Sequence, residues 1–338
     1  SMAVLTNALI ESDEKSLSLV ATDLEVSLKQ TADAKVKSPG KAAASARTHF
    51  EIVRESTTDS ILLSSLENQW LRVSYGKSDF KLMGIDPAEY PGMPEPGANG
   101  SKSTAIDLAP ADFTDMIRKT AFAVSTDDTR SNLAGIFLTK GDKKNTLRMV
   151  ATDGHRLAMI DRPVSATLSA GVILPRKGLT EAGKLLGEES DKVTLTITGS
   201  EAAVTVGDTL LSMRLVEGKF PDYKKVVPEE VSKHVGANRD LLLHTLKRVS
   251  ILSSERARGV RFSLGDGTLE ISANTPDMGE ASEEIPVAYE GPKLEVGFNA
   301  RYLIDVLQVL PEGSDVTLGL GDELSPGVLS GGDSSYTY

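Results

Sequence analysis

The sequence predicts an α+β fold of three tandem domains, each a doubled unit of helix plus antiparallel strands, and three observations carry that prediction. The phrase Leu17-Ser-Leu-Val-Ala-Thr-Asp23 returns as Leu147-Arg-Met-Val-Ala-Thr-Asp153, 130 residues later. The register holds well beyond the phrase, since Tyr90-Pro91 matches Phe220-Pro221 and Ile85 matches Leu215 at the same offset. A more diverged third copy follows, with Leu269-Glu-Ile-Ser-Ala-Asn274 answering Leu147-Arg-Met-Val-Ala-Thr152 at an offset of 122. Solenoid units recur every 20–50 residues or so. An echo at this distance therefore marks copies of whole domains, about 110–130 residues each.

The first copy opens at Met2-Ala-Val-Leu-Thr-Asn7, which reads as a strand. The helix that begins the other copies has no counterpart there. Alternating strands over 16–21 and 25–30 follow, and a helix over about 46–55. Residues 87–100 are dense in Pro, Gly and Asn and read as a linker. The second copy begins with an amphipathic helix over 109–122, with Phe113, Met116 and Ile117 on one face and Pro110 at a first helical position, where its missing N–H is harmless. Strands over 146–151 and 156–161 come next, then a helix over 176–187 and strands over 192–198, 202–206 and 210–215. The segment 220–231, with two further prolines, is the second linker. In the third copy Asn238 caps a helix carrying Leu241, Leu242, Thr245, Leu246 and Val249. Strands over 268–273 and 280–286 and a helix over 300–310 complete it. The expected domains are 1–103, 104–231 and 232–338. The first is expected to lack its first helix and the third its last strand.

Bulk properties narrow the function. A chain of 338 residues, 40% apolar and 25% charged, is too long for one core and has the composition of an ordinary soluble protein. With no cysteine, disulfides, thiolate metal sites and cysteine nucleophiles are excluded. No leader and no run of 18 apolar residues stands out, so a cytoplasmic location is expected. The four histidines, His49, His155, His234 and His244, have no metal-binding spacing, and no metal or cofactor is expected. A net charge of −11 argues against coating nucleic acid by bulk attraction but leaves room for a local basic stripe.

The strongest local motif is Thr152-Asp-Gly-His-Arg-Leu157. Asp beside His invites an acid–base reading, which also needs a nucleophile and an orienting partner. Asp-Gly is equally a tight-turn dipeptide joining two strands. The copies separate these readings, because Asp23 is followed by Leu24-Glu25 and the third copy has Asn274-Thr-Pro-Asp277. His155-Arg156-Leu157 is thus peculiar to the second copy, as expected of a binding element added to a shared turn. Basic residues recur at helix positions: Arg47, Arg176-Lys177 and Arg301 open the second helices, while Arg118-Lys119 and Lys247-Arg248 sit within the first ones. One copy alone would read as a solvated helix face. Recurrence favours a shared basic surface suited to phosphates, with no base-reading chemistry. The chain has no Walker loop, GxGxxG unit, GxSxG elbow or zinc pattern.

The strings Val150-Ala-Thr-Asp-Gly-His-Arg-Leu-Ala158, Ser125-Thr-Asp-Asp-Thr-Arg130, Asn132-Leu-Ala-Gly135, Phe220-Pro-Asp-Tyr223 and Ile251-Leu-Ser253 together closely resemble the bacterial DNA polymerase III beta subunit family, the replicative sliding clamps. Ser45-Ala-Arg47, Leu174-Pro-Arg-Lys177 and Asp322-Glu-Leu-Ser-Pro326 extend the likeness in order along the chain. The resemblance implies a non-catalytic, head-to-tail homodimeric ring, helices inside and sheets outside, encircling duplex DNA without regard to sequence. It implies as partners the DNA polymerase III alpha subunit, a clamp loader and other replication and repair proteins that dock by short linear motifs. The implied client groove comprises Leu133, Thr152, Gly154, His155, Arg156, Leu157, Pro221, Lys225, Val226, Leu324 and Pro326. Lys225 stands where the family usually has Arg, which removes a planar bidentate donor. The implied DNA contacts are Arg47, Arg130, Ser131, Asn132, Arg176 and Lys177. The implied dimer interface sets Phe80 and Leu82 against Ile251 and Leu252. The competing expectations are a scaffold of the same fold that does not encircle DNA and, more distantly, a hydrolase built on Asp153 and His155.

Overall fold

The computed structural model describes residues 3–94, 102–127, 129–166, 168–187, 192–228, 230–254, 258–322 and 325–338. Its helices are α1 (Ala46–Arg54), α2 (Pro110–Thr120), α3 (Arg176–Leu185), α4 (Arg239–Val249) and α5 (Ala300–Val309). All five occupy stretches that the apolar periodicity predicts. Asn238 caps α4 as expected, its side-chain oxygen accepting from the amides of Asp240 at 3.2 Å and Leu241 at 3.1 Å. One opening element differs: Ala3–Thr6 is a 3-10 turn, and the strand starts at Asn7. The turn is closed locally, since Thr6 and Asn7 both donate side-chain hydrogen bonds to the Ala3 carbonyl.

The chain divides into two compact units, residues 1–113, 164–166 and 177–215 in one, and 114–163, 167–176 and 216–338 in the other. They do not follow the sequence repeats, because sheets run from one repeat into the next. In the first unit a nine-stranded antiparallel sheet runs in the order 84–85, 40–45, 7–12, 16–22, 26–33, 209–214, 201–206, 193–197, 104–108. The junction is Val26–Asp33 of the first copy against Thr209–Arg214 of the second, with Leu28 opposite Leu211. Each repeat alone would expose an unpaired strand edge, and joining them satisfies both rows of backbone groups. A smaller sheet of 62–65, 71–75 and 78–82 lies in the same unit, where Leu71, Val73 and Leu82 pack with Ile10, Ala42 and Ala44.

The second unit holds a five-stranded sheet in the order 172–175, 135–140, 146–152, 157–163, 336–337. Its last strand comes from the third repeat: Tyr336 pairs with Ile160 and Thr337 with Met159. A four-stranded sheet (279–286, 268–275, 259–265, 294–299) and a three-stranded one (233–238, 315–320, 328–330) complete it, with α4 packed against α5. The strand Thr146–Thr152 is buried along almost its whole length, as expected of a central strand covered on both faces.

Partly buried ion pairs bind the segments of this unit. Arg162 donates to Asp115 at 2.5 Å and to Asp333 at 2.7 Å, while Lys119 reaches the same two carboxylates at 2.9 and 3.2 Å. Lys119 is 4% exposed and lies over the Tyr336 ring. The sequence reading that put Lys119 on an open basic surface is therefore corrected. Its charge is consumed in docking residues 333–336 onto α2, because a lysine buried at this depth must be paired.

Candidate functional site

The site grows from one turn that the sequence carries twice. In the second copy the Thr152 hydroxyl donates to the Arg156 carbonyl at 2.6 Å and accepts from the Gly154 amide at 3.1 Å. The Asp153 carboxylate accepts from the amides of His155 at 2.9 Å and Arg156 at 3.0 Å. The first copy makes the same bonds: Leu24 amide to Thr22 at 3.0 Å, and Glu25 and Val26 amides to Asp23 at 3.0 and 2.8 Å. The third residue of the turn has positive φ in both, 88° at Gly154 and 75° at Leu24. Glycine carries that conformation without strain. A Cβ at Gly154 would also come within 2.8 Å of the Arg130 guanidinium. The turn is a shared scaffold of four residues rather than a two-residue hairpin. With its carboxylate engaged by the backbone and by Arg156 at 3.0 Å, Asp153 is built into the loop, which argues for the turn reading over acid–base chemistry.

What the second copy adds is Arg156. Its guanidinium, 10% exposed, donates to Asp305 at 2.7 Å and to the Phe122 carbonyl at 2.7 Å, and lies over the Tyr302 ring at 4.6 Å from its centre. Asp305 and Tyr302 stand on α5, so this side chain ties the turn to the third repeat. Tyr338 closes the same cluster, donating to the Tyr302 carbonyl at 2.9 Å, with its ring 5.7 Å from that of Phe122. Burial pushes the Tyr338 phenol well above its ordinary value, against the opposing pull of Arg156.

Beside this pin lies an apolar groove of about 580 Å³ within the second unit. Of the predicted groove residues, Leu133, Thr152, Gly154, His155, Arg156, Leu157, Pro221, Val226 and Pro326 line it. Lys225 does not. It lies in an adjoining depression of about 400 Å³, its side chain 80% exposed and 3.3 Å from Asp222. Leu324 lies outside the described residues. The sequence reading missed Tyr223, Phe298, Tyr302, Leu303 and Tyr338, which stand among the other residues of the lining. Tyr223 closes the Phe220-Pro-Asp-Tyr223 string, while no local motif distinguishes the other four from core. The wall beneath is firm: Phe220 stacks on Phe137 at 4.8 Å, and Tyr223 meets the same ring edge-on at 6.3 Å. With Leu133, Val150 and Ile173 they form one core cluster. The groove therefore combines apolar walls with a few fixed polar groups, the make-up of a preformed ligand site.

The remaining predicted residues lie elsewhere. Arg47 on α1 has an 89% exposed side chain and pairs with Glu51 at 3.1 Å. Arg176 and Lys177 open α3; Lys177 bonds Asp23 of the first copy's turn, a contact that raises the lysine's proton affinity. Arg130 donates to the Asp153 carbonyl at 3.2 Å and Asn132 to the Lys219 carbonyl at 3.1 Å, on either side of Ser131, so this loop braces the groove's turn. Ile251 is 68% exposed and Leu252 half-buried beside it. Phe80 is half-buried against Tyr75, whereas Leu82, 8% exposed, belongs to its own unit's core. Among the described residues no group of three or more His, Cys, Asp or Glu is placed to hold a metal ion, and no helix is long and apolar enough to cross a membrane.

Comparison with known proteins agrees with this architecture along the whole chain. Residues 1–94, 107–222 and 224–337 match the models of the DNA polymerase III beta subunit N-terminal, central and C-terminal domains respectively. The chain is 36% identical to the beta sliding clamp of Pseudomonas putida, over 99% of this chain and 91% of that one. It is 35% identical to the beta sliding clamp of Escherichia coli, covering 96% of this chain and 87% of the relative. It is also similar to the crystal structure of a sliding clamp from Pseudomonas aeruginosa bound to griselimycin, with a TM-score of 0.90 at 34% identity, covering 100% and 90% of the two chains. Three tandem clamp domains, a sheet architecture shared with solved clamps and sustained identity together place this chain in the DNA polymerase III beta subunit family, the replicative sliding clamps.

Proposed function

We propose that two copies of this chain close head to tail into a ring around duplex DNA and tether replication proteins through the groove beside Arg156. The ring holds DNA by topology, so sequence-blind phosphate contacts suffice, and Arg47, Arg130, Ser131, Asn132, Arg176 and Lys177 supply them. That arrangement reconciles a net charge of −11 with DNA binding, since only the lining need be basic. The clamp domains are 1–103, 104–231 and 232–338, and Phe80 with Leu82 beneath it meets Ile251 and Leu252 of the second copy. The clients are the DNA polymerase III alpha subunit, a clamp loader and other replication and repair proteins, each inserting apolar anchors of a short motif. The chain itself does no chemistry and works in the cytoplasm.

The observation that carries this reading is the groove, an apolar cavity walled by the turn that the second repeat modified and the first did not. Val226, 60% exposed at its rim, is a large apolar side chain left open to a partner. The test has two arms. The loaded protein should stay on nicked circular DNA and leave when the circle is linearised; retention on unblocked linear DNA would favour a scaffold that does not encircle. A labelled peptide with leucine and phenylalanine anchors should bind the wild type and lose at least ten-fold in affinity on Leu157→Asp, which buries an unpaired charge. Unchanged affinity would remove the groove from the mechanism.

A further inference from the structure

We infer that Asp142, which lies outside the groove, is a positioning residue that holds the groove's wall in place, so that affinity for a client depends on an ion pair the client never touches. The inference rests on the groove being the client site. The wall in question is the 3-10 turn Tyr223–Lys225, whose Tyr223 is 7% exposed and lines the cavity. Two of its three residues, Tyr223 and Lys224, are gripped from the hairpin between strands Gly135–Lys140 and Thr146–Thr152. Asp142 in the hairpin's turn takes Lys224 at 2.8 Å through one oxygen and Arg148 at 2.8 Å through the other. Arg148, side chain 8% exposed, is set by Asp161 at 2.6 and 2.7 Å and reaches the Tyr223 hydroxyl at 3.5 Å. Asp142 therefore bridges a buried cation on the sheet and an exposed one on the wall. The Lys224 hydrogen bond, with Arg148 assisting against burial, holds its carboxyl below the usual carboxylate range.

The geometry separates this role from general stability. Asp161 anchors Arg148 in the sheet whatever happens at Asp142, and Phe137 stacking keeps Phe220 in the core. What is lost when the bridge is broken is the tether at Lys224, which leaves the 223–225 turn held through Tyr223 alone. The Asp142–Lys224 arm is more than half exposed at both ends, so it is screened by salt.

The test measures an uncharged peptide, capped at both termini and carrying a neutral dye, with leucine and phenylalanine anchors, against the full chain by anisotropy, from about 0.05 to 0.5 M salt. Wild-type affinity should fall with salt although the peptide carries no charge of its own. Asp142→Asn should bind about two- to five-fold more weakly at low salt, the range of an exposed pair, and be nearly salt-independent. Lys224→Gln should behave alike, the double variant should add little, and Asp142→Glu should restore part of the affinity. Melting temperatures of all four should stay close to the wild type. Asp142→Asn binding as tightly as wild type, or more weakly with the salt dependence intact, would overturn the inference. A wild type that binds no peptide would instead overturn the groove reading on which it stands.

Discussion

Replacing Arg156 separates a residue that pins two repeats together from one that only faces a client. The side chain is 10% exposed and satisfies three acceptors: Asp153 at 3.0 Å, Asp305 at 2.7 Å and the Phe122 carbonyl at 2.7 Å. Removing one partner of a buried ion pair costs about 3–5 kcal/mol, because the remaining charge is stranded. Asp153 and Asp305 keep 17% and 23% side-chain exposure, so water recovers part of that. Arg156→Ala should then cost about 2–4 kcal/mol. Arg156→Lys keeps the charge but cannot serve three acceptors in three directions or stack on Tyr302, and should cost about 1–2 kcal/mol. The single tryptophan, Trp70, lies in the first unit and is a poor reporter here. Circular dichroism in urea, with hydrogen exchange at the 152–156 amides, is the suitable assay. A cycle with Asp305→Asn should give a coupling of about 1–2 kcal/mol. A loss below about 0.5 kcal/mol for Arg156→Ala, or a lysine variant as stable as wild type, would refute the pin and leave Arg156 as a surface contact.

Acid should loosen the docking of residues 333–336. Burial alone would raise the Asp333 carboxyl, but Ser335, Arg162 and Lys119 outweigh it and leave its pKa far below the ordinary value; Asp115, paired with Arg118, Lys119 and Arg162, is lowered too. A depressed folded-state pKa adds stability that is present above the unfolded value of about 4 and is lost as pH falls through the folded one. Urea midpoints should therefore drop below about pH 4, and Asp333→Asn should be less stable near neutrality with a flatter acid limb; an unchanged limb would be evidence against the network. For the proposed DNA lining, Arg47→Gln should weaken binding alike on all sequences and, with one Arg47 lost from each of the two copies, lower the slope of log affinity against log salt by about two. An unaltered slope would take Arg47 off the phosphates.

The five helices, the strands that flank each repeated phrase, the three-fold repeat and the turn at Thr152–Leu157 are legible in the sequence, whereas the opening 3-10 turn and strands such as 62–65, 71–75 and 315–320 are not. Each legible feature rests on local rules: apolar periodicity, Asn238 as a cap, Asp153 and Gly154 as turn formers. The difference between Leu24-Glu25 and Gly154-His155-Arg156 likewise marks the second copy as the one that carries an added binding element. Tertiary structure alone decided where strand edges meet, because pairing Leu28 with Leu211 or Ile160 with Tyr336 depends on backbone groups that carry no sequence signal. It also decided which charges are spent. Lys119 and Arg47 look alike as helical cations, yet one is buried between two carboxylates and the other is 89% exposed. The far wall of the groove, Tyr302 and Tyr338, arrives from positions more than 140 residues beyond the turn. Local sequence fixes what a residue prefers by itself, whereas burial and partners come from chain brought back over such distances.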